Sequence, residues 1–373
     1  MYNKNLLYFV RLLVALLFIF SGFTKCVDPI GFSYKLDEYF SHDVLNLVFL
    51  MPTTLFLAIF ISSFEIVLGF FLIFGYRIKI SSYASFLMIL FFTFLTFYSA
   101  YFDKVQDCGC FGDAIKLSPW QSFYKDVILL FLTGYILFYR NKIKCIIPKN
   151  RFRVYIILLS FIVPFSFTLY NYYNLPIKDF RPYKIGNDIN KELISIPDEV
   201  KYQYKLKNKL SGDIVLFDNF PENYQNDWIY EGYQSSIVKK GKESKIKDFS
   251  IFCNSLDSIS YEEDKTYDFL NYERLLLVVM YDVKKSNNKF INDIKRLYFQ
   301  SLKLDIPLFF LSGSSDEINN KYKETHSIQC EFCFTDATVL KTMIRSNPGV
   351  IYIEKGVVVD KFHVRNLNKI KLN

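Results

Sequence analysis

The sequence predicts an α-helical membrane bundle, four helices plus a fifth transmembrane helix, followed by an extracytoplasmic α/β domain. Three observations predict it. The long apolar runs nearly all fall before residue 174, and the charged, Asn-rich segments follow it. Basic residues gather in two short loops between those runs. After residue 274, strand-like and helix-like patterns alternate, the order of an α/β unit. The chain has 373 residues, enough for two or three domains. Its net charge of +8 does not point to nucleic acid, because the Lys and Arg sit beside apolar runs, where they act as topology signals.

Five apolar segments have spanning length, about 20 residues each. They cover residues 6–24, 54–74, 81–102, 122–139 and 153–172. The first could be read as a signal peptide, but Arg11 interrupts it and Ser21-Gly22-Phe23 is a poor cleavage site. The loop 76–80 carries Arg77 and Lys79; the loop 140–153 carries Arg140, Lys142, Lys144, Lys149, Arg151 and Arg153 without an acid. Both are therefore expected in the cytoplasm. The loops 25–46 and 103–121 mix acids with bases and are expected outside. Everything after residue 173 then lies outside the cytoplasm as well, and the bilayer that holds the bundle supplies its lipid contacts. Pro52 and Pro119 fit helix starts.

Residues 1–145 are thus assigned to the four-helix bundle and 146–174 to the fifth helix. Residues 175–273 are assigned to a β-rich linker punctuated by Pro176, Pro182, Pro197 and Pro221, and 274–373 to the α/β domain. In that last part the pattern predicts a strand at 275–281, a helix at 289–302, a strand at 306–311 and a helix at 336–345 with Asp336 as its N-cap. Strands at 350–354 and 357–362 follow, turned at Lys355-Gly356.

The stretch with most chemistry is Asp107-Cys108-Gly109-Cys110-Phe111-Gly112-Asp113, in the outer loop before the fourth span. Thiols at i and i+2 can close a disulfide, since their Cα atoms can approach to roughly 5.5–6 Å. Gly109 supplies the backbone freedom so tight a ring needs. Such a ring is strained and readily exchanged. Free thiols, structural half-cystines with other partners and a soft-metal site compete with that reading. Metal is the weakest of these, because two thiolates need further ligands and none lies nearby in sequence. Seven cysteines are an odd number, so at least one is unpaired within the monomer.

Several features resemble the DoxX-like membrane proteins, in the branch that includes the methylamine-utilisation protein MauE. They are Ser21-Gly22-Phe23-Thr24-Lys25, Glu65-Ile66-Val67-Leu68-Gly69, the Cys-Gly-Cys-Phe-Gly element and Lys125-Asp126. The resemblance covers about 140 residues and implies a role in disulfide formation or in maturation of exported proteins. One DoxX branch is tied to quinone-linked oxidation, which implies a quinone as a conceivable cofactor here. The C-terminal order resembles the thioredoxin fold over about 100 residues, with Pro348 in Ser346-Asn347-Pro348-Gly349-Val350 at the place of its cis-proline. The departure is at 281–287, where that fold carries its Cys-x-x-Cys and this chain has no cysteine. Cys330-Glu331-Phe332-Cys333 comes about 50 residues later, so the catalytic role is not carried over to it, and these are expected to be free or structural thiols.

Charged groups inside spans are costly. Arg11 and Glu65 differ in depth by roughly 7–8 Å at 1.5 Å per residue, a gap two long side chains can close. They are expected to pair, as a structural pin or as a protonatable Glu65 serving a quinone. Asp126 is expected at the outer end of its span, as a helix cap or as the electrostatic partner of a thiol. Cys26, after Lys25, could approach the Cys108/Cys110 loop and resolve a mixed disulfide; a small buried apolar role is its alternative. Lys25 would lower a nearby thiol pKa while Asp107 and Asp113 oppose it. Gly109, Gly112, Lys25 and Pro348 are expected to be structural. Cys145 falls on the inner side and Cys253 reads as core. Only His42, His326 and His363 occur, widely separated, which leaves His-based catalysis without support. The reading is an inner-membrane thiol–disulfide or maturation protein acting on exported clients. Its alternative is a non-catalytic, membrane-anchored binding protein with a redox-inactive thioredoxin-like domain.

Overall fold

The computed structural model of the chain describes residues 3–105, 109–147, 151–254 and 262–370. Its N-terminal part is helical: α1 (Lys4–Val27), α2 (Pro29–Phe40), α3 (Thr54–Phe74), α4 (Ile78–Phe102), α5 (Pro119–Phe138) and α6 (Arg151–Tyr173). Lys4–Val27, Val48–Phe74, Ile78–Phe102 and Arg153–Tyr173 are long and apolar enough to cross a membrane. This is a multi-pass membrane protein. The helix α5, at the position of the expected fourth span, falls outside that group because Gln121, Ser122, Lys125 and Asp126 make its first half polar. It nevertheless packs against α4 and α1.

Outward faces carry large apolar side chains, among them Phe9, Leu16, Phe56, Leu87, Phe131 and Ile162, and these meet lipid. Between helices the packing uses small residues instead. A Cβ on Gly22 would stand 2.8 Å from the Ser62 carbonyl oxygen, and one on Gly69 would stand 2.8 Å from that of Ala15. The absence of those atoms lets α1 and α3 approach backbone to backbone, as small residues do where no hydrophobic effect drives helices together. On the far side of α3, Ser63 and Thr168 of α6 share a hydrogen bond of 2.9 Å, and Phe23 stacks on Phe167 at 5.6 Å. Gly75 ends α3 in the left-handed conformation (φ +63°), its N–H reaching the Leu72 carbonyl.

The amphipathic α2 is an element that sequence patterning passed over. Asp28 caps it, accepting from Gly31 N at 2.8 Å, Pro29 opens it, and Phe32, Leu36, Tyr39 and Phe40 face inward.

Beyond the helices lie α7 (Ile189–Leu193) and an antiparallel sheet of β1 (Glu199–Asn208), β2 (Ile214–Phe217) and β3 (Trp228–Lys239) in the order β2-β1-β3. The remaining elements are β4 (Phe252–Asn254), β5 (Glu262–Asp264), α8 (Thr266–Asn271), β6 (Leu275–Met280), α9 (Ile291–Lys303), β7 (Leu308–Ser312), α10 (Asp316–His326), β8 (Phe332–Phe334), α11 (Ala337–Met343), β9 (Gly349–Glu354) and β10 (Val357–His363). They build a seven-stranded sheet ordered β10-β9-β6-β7-β8-β4-β5. β6, β7 and β8 run parallel, while β9 lies antiparallel to β6 and pairs with β10 as a hairpin. The central β6 is buried along its whole length. Leu275, Leu277 and Val279 enter one core and Leu276, Val278 and Met280 the other, so both faces are covered, as alternation in a strand requires. The Asn347–Pro348 peptide that leads into β9 is cis.

Where patterning sets a boundary at residue 273, the sheet and its core reach further back. β4 and β5 are strands of this sheet, and Ile189, Ile246, Phe249, Ile251, Phe269 and Leu270 fill one of its cores. Cys253 on β4 is disulfide-bonded to Cys333 on β8, its register partner 80 residues away. Cys253 is thus core, as expected, but as a half-cystine. Closing a loop of that length limits the unfolded chain by about 4–5 kcal/mol in the loop-entropy account. Cys253→Ser is expected to destabilise the C-terminal domain by about 2–4 kcal/mol. The check is the urea midpoint of the detergent-solubilised chain, which should fall equally for the wild type under reductant.

Candidate functional site

The site grows from one face of α1. Ser21 and Lys25, one turn apart, point into the interior between α3, α4 and α5. Lys25 is 2% exposed, and its Nζ donates to Glu65 Oε1 at 2.5 Å. The ammonium also lies over the rings of Phe92 (4.6 Å) and Phe32 (5.1 Å). The expected pairing of Arg11 with Glu65 is therefore wrong. Lys25 reaches the carboxylate from about four turns further along the same helix, and Arg11 instead stacks on Tyr8 at 4.7 Å. Among the described residues the second oxygen, Glu65 Oε2, has no hydrogen-bond partner. Lys25, expected only as a structural or pKa-setting residue, becomes the counter-ion at the centre of the bundle.

A second acid–base pair lies across the cavity. Lys125 Nζ donates to Asp126 Oδ1 at 2.5 Å, and Thr96 of α4 donates to Asp126 Oδ2 at 3.1 Å. Asp126 is 1% exposed and does not cap its helix. That role belongs to Ser118, in a reciprocal capping box with Gln121. Asp126 therefore serves the interior.

The described part of the cysteine loop closes over this cavity. The Ser21 hydroxyl donates to the Cys110 carbonyl at 2.9 Å. Phe111 is buried between the Phe20 ring (5.5 Å between centroids) and the Lys125 ammonium (5.1 Å). Gly109 and Gly112 both adopt positive φ, +65° and +54°, where a side chain would be strained. Asp113 then leaves the bundle and meets Arg345 at 3.4 Å. Cys110, Phe111, Lys25, Glu65, Lys125 and Asp126 all line the same cavity. Cys108 lies outside the described residues, so its contact with Cys110 is not placed.

The structure does not bring Cys26 to that cavity. One residue beyond Lys25, it points about 100° around the helix, toward the hydroxyls of Thr168, Ser62 and Ser63 on α6 and α3. Cys145 is exposed at the opposite end of the bundle, beside Arg153. Cys330 is buried in the C-terminal domain, where burial pushes its thiol up to about 12, and Cys333 belongs to the disulfide. Pro348 follows Arg345 in the loop that faces the bundle.

A quinone does not fit this cavity. Its walls are suitably apolar, with Leu17, Phe18, Ile89 and Leu129 among them, but the space holds only about one or two waters. Both ammonium groups that would donate to quinone carbonyls are engaged by carboxylates.

Fold and site together define a polytopic membrane protein whose helical bundle holds one buried and one half-buried ion pair beneath a cysteine loop, with an α/β domain seated on that loop. Residues 3–139 match the family described as methylamine utilisation protein MauE. The match covers α1 to α5 and stops before α6 and the sheet domain. No curated protein matches the chain.

Proposed function

We propose that this protein is an accessory factor in the maturation of exported proteins and works by thiol–disulfide exchange through Cys108 and Cys110. The carrying observation is the seat of the cysteine loop, which lies directly over the Lys25–Glu65 and Lys125–Asp126 pairs and under the C-terminal domain. Asp126 and Lys125 supply the polar groups nearest the loop on α5, where proton release from an attacking thiol would need an acceptor. An open cleft beside the loop, lined by Asp113, Lys116, Ser118, Arg181, Lys184 and Lys247, offers a client a route to it.

The proposed topology has five spans, with the N-terminus in the cytoplasm and the sheet domain in the periplasm. The basic loops support it, and the Cys253–Cys333 disulfide suits an oxidising compartment. The sheet domain is proposed to be thioredoxin-like. The β7-β6-β9-β10 order, the α9 crossover and the cis-proline before β9 support that reading. With no cysteine at 281–287, its role is binding.

A second reading has one observation in its favour. Cys110 is buried and Cys26 is turned away from it, which suits a structural staple in a non-catalytic anchor.

Redox-state trapping separates the two readings. Thiols are labelled with a maleimide of known mass in intact membranes, before and after mild reductant, in the wild type, Cys108→Ser and Cys110→Ser. Exchange chemistry requires a pair that reduces readily and a single mutant that accumulates a mixed disulfide with another protein. A pair that resists strong reductant, or that is never oxidised, excludes it.

A further inference from the structure

Among the contacts between the C-terminal domain and the bundle is one buried guanidinium. Arg345 lies at the end of α11, three residues before the cis-proline. It is 7% exposed, and its side chain reaches out of its own domain. Its Nε donates to Asp28 Oδ1 at 3.1 Å and Oδ2 at 2.9 Å, and its Nη2 lies 2.9 Å from Oδ2. Asp28 is also the N-cap of α2, so the guanidinium grips the hinge between α1 and α2. The same Nη2 reaches Asp113 Oδ2 at the longer distance of 3.4 Å.

Neighbouring contacts make this a fitted seat. Tyr34 of α2 meets Tyr281 edge-on at 6.2 Å and lies under both Arg345 (5.5 Å) and Lys341 (4.9 Å). Gly31 leaves the room, since a Cβ there would stand 2.6 Å from Arg345 Nη2.

The two carboxylates have unequal duties. Asp28 belongs to the helical frame, and its closer, two-oxygen contact holds the domain in place. Asp113 belongs to the cysteine loop, and its contact is the weaker of the two. We propose that Arg345 is a positioning residue for the cysteine loop: through Asp113 it holds the loop shut over the bundle, so that loss of this one contact exposes Cys110 while the domain stays docked through Asp28. The inference rests on the proposed function only in taking the loop as the reactive element.

The test uses the full chain solubilised in detergent, where both ends of the bundle are open to the reagent, in a Cys108→Ser background so that Cys110 cannot pair with its loop neighbour. The rate of labelling by a bulky water-soluble maleimide is read by mass spectrometry on the peptide carrying Cys110. Asp113→Asn removes the loop carboxylate that meets Arg345 and leaves the Arg345–Asp28 contact intact. It is expected to speed labelling at least ten-fold, with the Cys253–Cys333 disulfide and the labelling of exposed Cys145 unchanged. Arg345→Gln is expected to speed it at least as much, and Arg345→Lys to restore part of the protection. Unchanged labelling in Asp113→Asn overturns the proposal, whatever Arg345→Gln does to folding. Faster labelling with no client exchange by the wild type would sustain the latch and sink the redox function, so the two can fail separately.

Discussion

Lys25→Met is expected to destabilise the bundle by about 3–5 kcal/mol, because it strands the Glu65 carboxylate in a water-poor interior. The pair is shielded on every side: Lys25 is 2% and Glu65 4% exposed, and the ammonium also sits against two phenylalanine rings. The expected measurement is a lower thermal midpoint in detergent and reduced accumulation in the membrane. The double variant Lys25→Met/Glu65→Met should recover most of the loss, since two apolar side chains of similar volume replace an ion pair that was costly to bury. A single variant as stable as the parent would show that Glu65 takes up a proton instead of needing Lys25. The rescued double variant also has a functional use. If it folds and still exchanges disulfides, the pair is a structural pin; if it folds and does not, the pair acts on the loop.

Much of this arrangement was legible from residue order. Helices α1, α3, α4, α5 and α6 follow from runs of apolar residues, and the strands β6, β9 and β10 from short β-branched runs bounded by turns. Asp336 caps α11 as its position suggested, accepting from Thr338 N at 2.7 Å. Partner choice was less legible. Depth estimated from the span ends made Arg11 a match for Glu65, but the packed helices set Gly22 of α1 against Ser62 and Ile66 of α3, and this brings Lys25, on nearly the same face and about 21 Å further along α1, to the acid. Rotation about the helix axis, by contrast, separates Cys26 from the cavity although it is adjacent to Lys25.

The helix α2 carried a readable signal, an Asp-Pro start with Phe32, Leu36 and Tyr39 at helical spacing, inside a segment first taken as loop. By contrast α10 has little apolar periodicity, with Asn319 and Tyr322 its buried side chains, and β8 is only three residues long. The pairing of Cys253 with Cys333 depends on register between β4 and β8, strands joined by no local pattern. Nothing in the sequence around Arg345 singles it out. Its importance comes from Asp28 and Asp113, which lie 317 and 232 residues away in the chain.

Asp179→Asn is expected to have the largest effect in the C-terminal domain, about 3–5 kcal/mol, because it removes the counter-ion of two buried cations. Asp179 accepts from Arg181 Nε at 2.7 Å and Nη2 at 2.8 Å, and from Lys361 Nζ at 2.7 Å. Both cationic side chains are 2% exposed. The pH dependence follows from the shifts. Burial works against the Asp179 charge, but Arg181 and Lys361 outweigh it and hold the carboxyl well below the usual range. Its stabilising contribution is therefore complete above about pH 4 and lost as pH falls toward the depressed folded-state value. Lys361 shifts the other way, from 10.5 down to about 7, through burial first and Arg181 second. Between about pH 7 and 10.5 the unfolded chain binds more protons at this lysine, so its contribution to stability rises with pH across that window. In Asp179→Asn the acid-side loss should vanish. Lys361, without its carboxylate, should discharge below pH 7, which makes the cost of the substitution larger at pH 6 than at pH 9. Denaturant midpoints of the solubilised chain across that range test both limbs. Parallel pH profiles for wild type and variant would mean that the three charges are not coupled as their distances imply.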